Sequence, residues 1–311
     1  MAASKSFDQI NVEITAADGI ILRGALWAQA SAGAPVIVMS HGFGVVKDMT
    51  LNHVGQDFAE AGFNCLLYDH RCLGISDGFP RDHVDPWQQV SDCRDVVTFA
   101  CNLPGADGSR VGIWGTSYSG GHALVIGATD RRVRAVVAQG ATISGSRNAL
   151  RRFPGDALAQ SARRYAADRT AVLRGADLEK IQQVADATEE DRHHIAETPD
   201  QMPLGNSSRE WMRSLPPEAM KTWNNRLTLR SYELYRAYEP GGFIARIAPT
   251  PLLLITGDDD TVTPTDDILA AYNEAREPKR LKIVPGGHYD IYASQRRAVT
   301  NAAIEFFREF L

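Results

Sequence analysis

The stretch Val111-Gly112-Ile113-Trp114-Gly115-Thr116-Ser117-Tyr118-Ser119-Gly120-Gly121 decides how this chain of 311 residues is built. Its first half is a continuous apolar run, the pattern of a strand covered on both faces of a parallel sheet. Its second half sets a serine among glycines where that strand gives way to a helical stretch. A serine hydroxyl is a weak nucleophile unless a base takes its proton and nearby donors receive the developing oxyanion. A sharp strand-to-helix turn meets both needs, because it exposes Oγ and aims the next backbone N–H groups at the reacting carbonyl. Ser117 is therefore the candidate nucleophile, and the Tyr118 amide a candidate oxyanion donor.

The segments on either side repeat this alternation of strand and helix. Asn11–Thr15 and Ile20–Ala25 alternate apolar with polar residues around Ala17-Asp18-Gly19, an antiparallel hairpin at a sheet edge. Short apolar runs follow: Pro35–Met39, Asn64–Tyr68, Val133–Val137, Pro251–Ile255 and Leu281–Val284. Between them lie segments of helical period. Leu51, Val54, Phe58 and Ala61 share one face, and Gly62 is placed to end that helix. Trp87, Val90, Cys93, Val97 and Cys101 form a second face after Pro86, and Val299, Ala303, Phe306 and Phe310 form a third. Thr265 is the expected N-cap of a further helix, with Asp266 and Asp267 at its positive end. The βαβ rhythm predicts an α/β fold with a mostly parallel, doubly wound sheet and right-handed crossovers.

One region breaks the rhythm. From Ser144 to Gly241 the sequence offers only helical patterning, over Ala157–Arg174, Leu178–Ala196 and Glu218–Tyr238. This predicts an all-helical lid inserted at 144–241 between the fourth and fifth parallel strands, with a core formed by 1–143 and 242–311. Its 15 basic and 14 acidic residues make a mixed, solvated surface rather than a phosphate-binding stripe.

Composition narrows the function. Apolar residues are 44% and charged residues 23% of the chain, with a net charge of −5, ordinary values for a globular protein. Nothing here attracts nucleic acid or an anionic membrane. No run is long and apolar enough to span a bilayer, and no signal-peptide pattern opens the chain, so the expected location is cytoplasmic. Cys93 and Cys101, eight residues apart on one predicted helix, stand about 12 Å from each other, too far for a disulfide. Four reduced thiols are expected, no metal is suggested, and no cofactor is implied.

In open α/β sheets chemistry gathers at the carboxyl ends of the strands. Just past the predicted strand ends stand His41-Gly42-Phe43-Gly44, Asp69-His70-Arg71, Ser117, Asp258-Asp259-Asp260 and His288. His288 follows Gly286-Gly287, a loop that lets its ring reach a neighbouring strand's serine, which makes it the candidate general base. Asp260, four residues before Pro264, is the candidate acid that orients it, with Asp259 left open as the alternative. The Phe43 amide is the second oxyanion candidate. Asp69 and Arg71 read as a structural pair tying loops together. Of the other histidines, His41 belongs to the oxyanion loop, while His53, His70 and His83 have no assignable strand-end role. Trp211, Trp223, Tyr232 and Tyr235 are candidates to line the lid.

With serine, acid and histidine in that chain order, the chain resembles the α/β-hydrolase superfamily. Gly115–Gly121, Asp85-Pro86-Trp87-x-Gln89, Tyr238–Gly242 and Pro285-Gly286-Gly287-His288-Tyr289 resemble a narrower group. It comprises the dienelactone-hydrolase-like and polyketide-transferase-like enzymes, related to X-Pro dipeptidyl peptidases and cocaine esterase. The likeness spans roughly residues 10–311. It departs from the G-x-S-x-G pattern at Ser119, and Cys72 stands where related sequences tend to carry glycine.

These residues imply a cofactor-free serine hydrolase of an ester, thioester or lactone, its partner a small-molecule acyl substrate. Acyl transfer to an alcohol or amine uses the same residues. A non-catalytic small-molecule receptor on the same fold is the reading from a different class. Whether the chain forms a homodimer is left open.

Overall fold

The computed structural model describes residues 7–29, 31–153, 155–183 and 206–311. An eight-stranded sheet runs in the order β1-β2-β4-β3-β5-β6-β9-β10. Its strands are β1 (Asp8–Thr15), β2 (Ile21–Ala28), β3 (Ala34–Ser40), β4 (Asn64–Tyr68), β5 (Ala106–Thr116), β6 (Val133–Gln139), β9 (Leu252–Gly257) and β10 (Lys279–Val284). The first two form the expected antiparallel hairpin, and β2 meets β4 antiparallel. All other neighbours are parallel. The expected α/β-hydrolase architecture of the core is therefore present.

Residue alternation along the central strands splits the core in two. On β3, Val36 and Val38 face a cluster completed by the helices Pro86–Cys101 and Tyr118–Thr129. Ile37 and Met39 face the other way, toward the helices Asn52–Glu60 and Arg296–Phe310. Both faces being covered explains why these strands read as unbroken apolar runs. Asp85 caps the Pro86–Cys101 helix through the backbone N–H of Trp87 and Gln88, and Pro86 opens it at a position needing no N–H.

Strand order reverses between β3 and β5: β4 lies on one side of β3, and β5 and β6 continue on the other. Ser40 pairs in register with Gly115. The loop after β3 and the serine after β5 therefore emerge side by side at the switch point, where such sheets hold their ligands.

The segment 144–241 departs from the all-helical expectation. Its described part contains the helices Gly145–Arg152, Ala157–Leu173, Asn206–Ser214 and Leu229–Arg236, and an antiparallel ribbon, β7 (Lys180–Gln182) with β8 (Arg226–Thr228). The helix expected over Leu178–Ala196 does not start: 178–183 are irregular or strand, and the remainder lies outside the described residues. The run Glu218–Tyr238 breaks into a 3-10 turn, the ribbon strand and one helix. Three-residue strands are too short to impose a period of two on the sequence. Thr265 is the first helical residue rather than the cap. Its hydroxyl instead donates to Gly257 O and accepts from the Asp260 backbone N–H.

Candidate active site

Ser117 follows β5 directly with φ 54° and ψ −121°, and the helix Tyr118–Thr129 starts at the next residue. A positive φ at a non-glycine residue is strained, and the surroundings hold it. The Ser117 N–H donates to Gln139 O, and Ser117 O accepts from the Gly120 and Thr142 amides. The turn needs small neighbours. A Cβ on Gly115 would lie 2.0 Å from Ser119 O, and one on Gly120 would lie 2.6 Å from the Ala141 Cβ.

Three of the expected side chains meet in one line. His288 Nε2 lies 3.0 Å from Ser117 Oγ, and His288 Nδ1 lies 2.7 Å from Asp260 Oδ2. Asp260 is 4% exposed and His288 equally so. The Asp260 Oδ1 atom accepts the backbone N–H of Val262 and Thr263, and Oδ2 also accepts the Thr263 hydroxyl. Burial pushes this carboxyl up, but His288 and the Thr263 donors more than offset it, so its pKa lies below the ordinary value. Asp258 and Asp259 are exposed. Asp258 accepts the Gly286 N–H and so braces the histidine loop instead of the ring.

The loop His41–Gly44 lies against the serine, with Gly42 close enough that a Cβ there would sit 3.8 Å from Ser117 Oγ. Behind it is a row of buried imidazoles. His41 and His70 rings are 4.4 Å apart, and His70 and His122 rings 5.5 Å apart. His70 was not legible as a site residue, yet its Nε2 lies 3.0 Å from Ser119 Oγ, and the Ser119 hydroxyl donates to His41 O. Burial holds all three rings toward the neutral form, pushing His122 down to about 3. Position alone was the available signal, since His41 and His70 both follow strand ends.

Asp69 and Arg71 do not pair with each other. Asp69 accepts the backbone N–H of Lys47 and Ile75, while Arg71 bonds Asp18 and Asp92. Each ties loops together, as expected, through separate partners.

A cavity opens in front of Ser117 and His288. Its walls include Phe43, Trp211, Tyr235, Tyr289 and Tyr292, with Arg152 its described Lys/Arg side chain. A second cavity shares Phe43, Arg152 and Tyr235 with it and adds Tyr232. Of the four aromatics expected at the lid, Trp223 does not line either cavity; its indole N–H donates to Gly44 O.

Residues 18–290 match the X-Pro dipeptidyl-peptidase (S15) family. Polyketide transferase grgF of Penicillium sp is 31% identical over 302 residues, covering 97% of this chain and 96% of that one. A thiohydrolase of Eupenicillium brefeldianum is 32% identical over 284 residues, covering 90% and 87%. The crystal structure of the α/β-hydrolase GrgF from Penicillium sp. sh18 superimposes with a TM-score of 0.80 at 29% identity, covering 97% and 99%. The structure of DcsB in complex with its substrate analogue gives 0.85 at 29% identity, covering 98% and 100%. The chain belongs to the X-Pro dipeptidyl-peptidase (S15) family and is an α/β-hydrolase in fold.

Proposed function

We propose that this protein is a serine hydrolase of thioesters and esters that works through a covalent acyl-enzyme on Ser117. The observation that carries the reading is the hydrogen-bonded line Ser117–His288–Asp260 at the mouth of an aromatic cavity. In this mechanism Ser117 Oγ attacks the acyl carbonyl as His288 Nε2 takes its proton. Asp260 holds the Nδ1–H tautomer and stabilises the imidazolium. The Phe43 and Tyr118 backbone N–H groups receive the oxyanion. His288 then protonates the leaving thiol or alcohol, and a water activated by the same ring releases the acid. The insertion at 144–241 serves as the lid, supplying Arg152, Trp211 and Tyr235 to the cavity wall. The thiohydrolases among the relatives support a thioester as substrate.

A second reading is acyl transfer, favoured by relatives named polyketide transferase. It differs only in the acceptor that meets the acyl-enzyme. Cleavage at an X-Pro peptide bond fits less well: the described cavity wall presents Arg152 and no carboxylate to a substrate ammonium group.

A fluorophosphonate should label Ser117, and Ser117→Ala should lose at least about 10³-fold in kcat on a panel of esters and thioesters. Wild-type turnover in Ser117→Ala would end the proposal. Added alcohol and amine acceptors separate the two readings, because only transfer yields an acylated acceptor.

A further inference from the structure

We infer that Ser119 and His41 are positioning residues that lock the two oxyanion donors, the Tyr118 and Phe43 amides, into one unit. The inference rests on the hydrolase reading above and deepens it, from which amides receive the oxyanion to what aims them. The two donors come from separate parts of the chain. Tyr118 opens the helix after β5, and Phe43 lies in the loop after β3. Such a site stabilises charge without reorganisation only if both donors are fixed beforehand.

The Phe43 N–H shares a peptide group with Gly42 O. That group is trans, so its C=O and N–H point in opposite directions. Whatever holds Gly42 O therefore aims the Phe43 N–H. The holder is the His41 ring, whose Nδ1–H donates to Gly42 O at 3.0 Å. The tautomer follows from the other ring nitrogen, Nε2, which accepts the His70 backbone N–H at 3.1 Å. His41 is fully buried, and burial holds its ring toward the neutral form that this pattern needs. The insertion bonds the next two carbonyls, with Gln183 Nε2–H donating to Phe43 O and Trp223 Nε1–H to Gly44 O. Those peptide groups carry the Gly44 and Val45 amides. The aim of the Phe43 N–H is thus set within the core.

Ser119 joins this loop to the nucleophile turn. It directly follows Tyr118, is fully buried, and donates its hydroxyl to His41 O. With that proton committed, Ser119 Oγ accepts His70 Nε2–H at 3.0 Å. His70 Nδ1 has no partner among the described residues, as fits a ring protonated on Nε2. The residue beside one oxyanion donor therefore grips the residue whose ring aims the other. His70 braces both, Ser119 through its ring and His41 through its backbone N–H. A glycine at 119 has no group to offer here. The position where the elbow departs from G-x-S-x-G is the one that couples the two halves of the site. Misplacing such a donor by about 1 Å costs on the order of 10²-fold in rate.

The test uses full-length protein with p-nitrophenyl butyrate as substrate, fluorophosphonate labelling of Ser117, and an alkyl trifluoromethyl ketone as an oxyanion-forming inhibitor. His41→Asn keeps a donor at the Nδ1 position, because its amide nitrogen is likewise bonded to Cγ. His41→Gln reaches to the Nε2 position instead and leaves Gly42 O without its donor. His41→Gln should lower kcat by about tenfold or more with KM changed less than about threefold, and His41→Asn should recover most of that loss. Ser119→Ala should lower kcat by about threefold or more, again with KM little changed. In each variant the Ki of the ketone should rise by about the factor by which kcat/KM falls, since its adduct carries the oxyanion and the ground-state ester does not. Folded His41→Gln with wild-type kcat, His41→Asn no better than His41→Gln, or a Ki that does not follow kcat/KM would overturn the assignment alone. If His41→Gln does not fold, Ser119→Ala decides, and wild-type kcat there overturns the assignment. Wild-type protein that neither labels at Ser117 nor turns over the ester would overturn the hydrolase reading and the assignment together.

Discussion

Asp260 presents Oδ2 to His288 Nδ1 at 2.7 Å while its other oxygen is held by the Val262 and Thr263 backbone amides. The carboxylate is thus locked before the imidazole arrives, and it can fix only one tautomer of His288. Asp260→Asn keeps the shape but offers an amide in place of an acceptor, so kcat should fall by about 10³- to 10⁴-fold. Asp259→Asn should stay within about twofold, because its side chain is exposed and its backbone N–H, bonded to Gly286 O, is unchanged. Steady-state kinetics on the two variants decide between them. A larger loss in Asp259→Asn would move the acid to that residue.

The imidazole row behind the nucleophile gives the fold an acid limit. His41, His70 and His122 are buried and neutral, with folded-state pKa values held down first by burial, that of His122 to about 3. The unfolded chain binds these protons near pH 6.5. Below that pH the unfolded state therefore holds more protons than the folded one, and stability must fall as pH drops. The loss begins near pH 6.5 and for His122 continues down to about 3. Urea midpoints taken from about pH 7 to about pH 4 should decline steadily. A midpoint that stays flat over that window would mean the rings are already charged or solvated in the native protein.

The core was readable because each central strand buries both faces, which leaves unbroken apolar runs such as Asn64–Tyr68 and Leu252–Gly257 that end where the candidate residues begin. Ser117, Asp260 and His288 were legible for the same reason, each lying just past a strand end. Gln183 and Trp223 left no such mark. Their ribbon is three residues per strand, and they act on the carbonyls of Phe43 and Gly44, contacts made across 140 and 179 positions. Ser119 was visible only as a departure from glycine. That its hydroxyl links His70 to the carbonyl of His41 depends on three strand ends meeting, which no local pattern encodes.

Ser119 is therefore expected to resist replacement by the glycine of the commoner pattern. Losing Oγ leaves His41 O and His70 Nε2–H buried without a partner, at a cost of about 1–3 kcal/mol for each unmet group. Ser119→Ala and Ser119→Gly should both unfold at lower denaturant than wild type. Equal or higher midpoints in both would show that the hydroxyl carries no stability.

Close approach at the elbow predicts a sharper contrast between two glycines. Gly115→Ala puts a Cβ 2.0 Å from Ser119 O, a backbone atom of the following helix, whereas Gly242→Ala meets no atom within 4 Å. The first should cost more than about 4 kcal/mol or abolish soluble expression, and the second should stay within about 0.5 kcal/mol. Denaturant titration of both variants measures the difference. A mild Gly115→Ala would mean the strand and helix can separate at the turn.

Phe43 has two roles that one substitution can separate. Its backbone lies in the loop beside Ser117, while its ring packs against Tyr118, Tyr232 and Tyr235 and borders both cavities. Phe43→Ala keeps the N–H and removes the ring that borders both cavities. The merged space should accept longer acyl chains, with each further buried methylene gaining about 0.8 kcal/mol, or about fourfold in kcat/KM. The check is a series of p-nitrophenyl esters from acetate to laurate, assayed on both proteins. The optimum should shift to longer chains in the variant, while short esters, which never reach the second cavity, lose affinity through the missing aromatic wall. An unchanged length profile would mean that the acyl chain leaves the site in another direction, past Trp211 and Tyr289 rather than past Phe43.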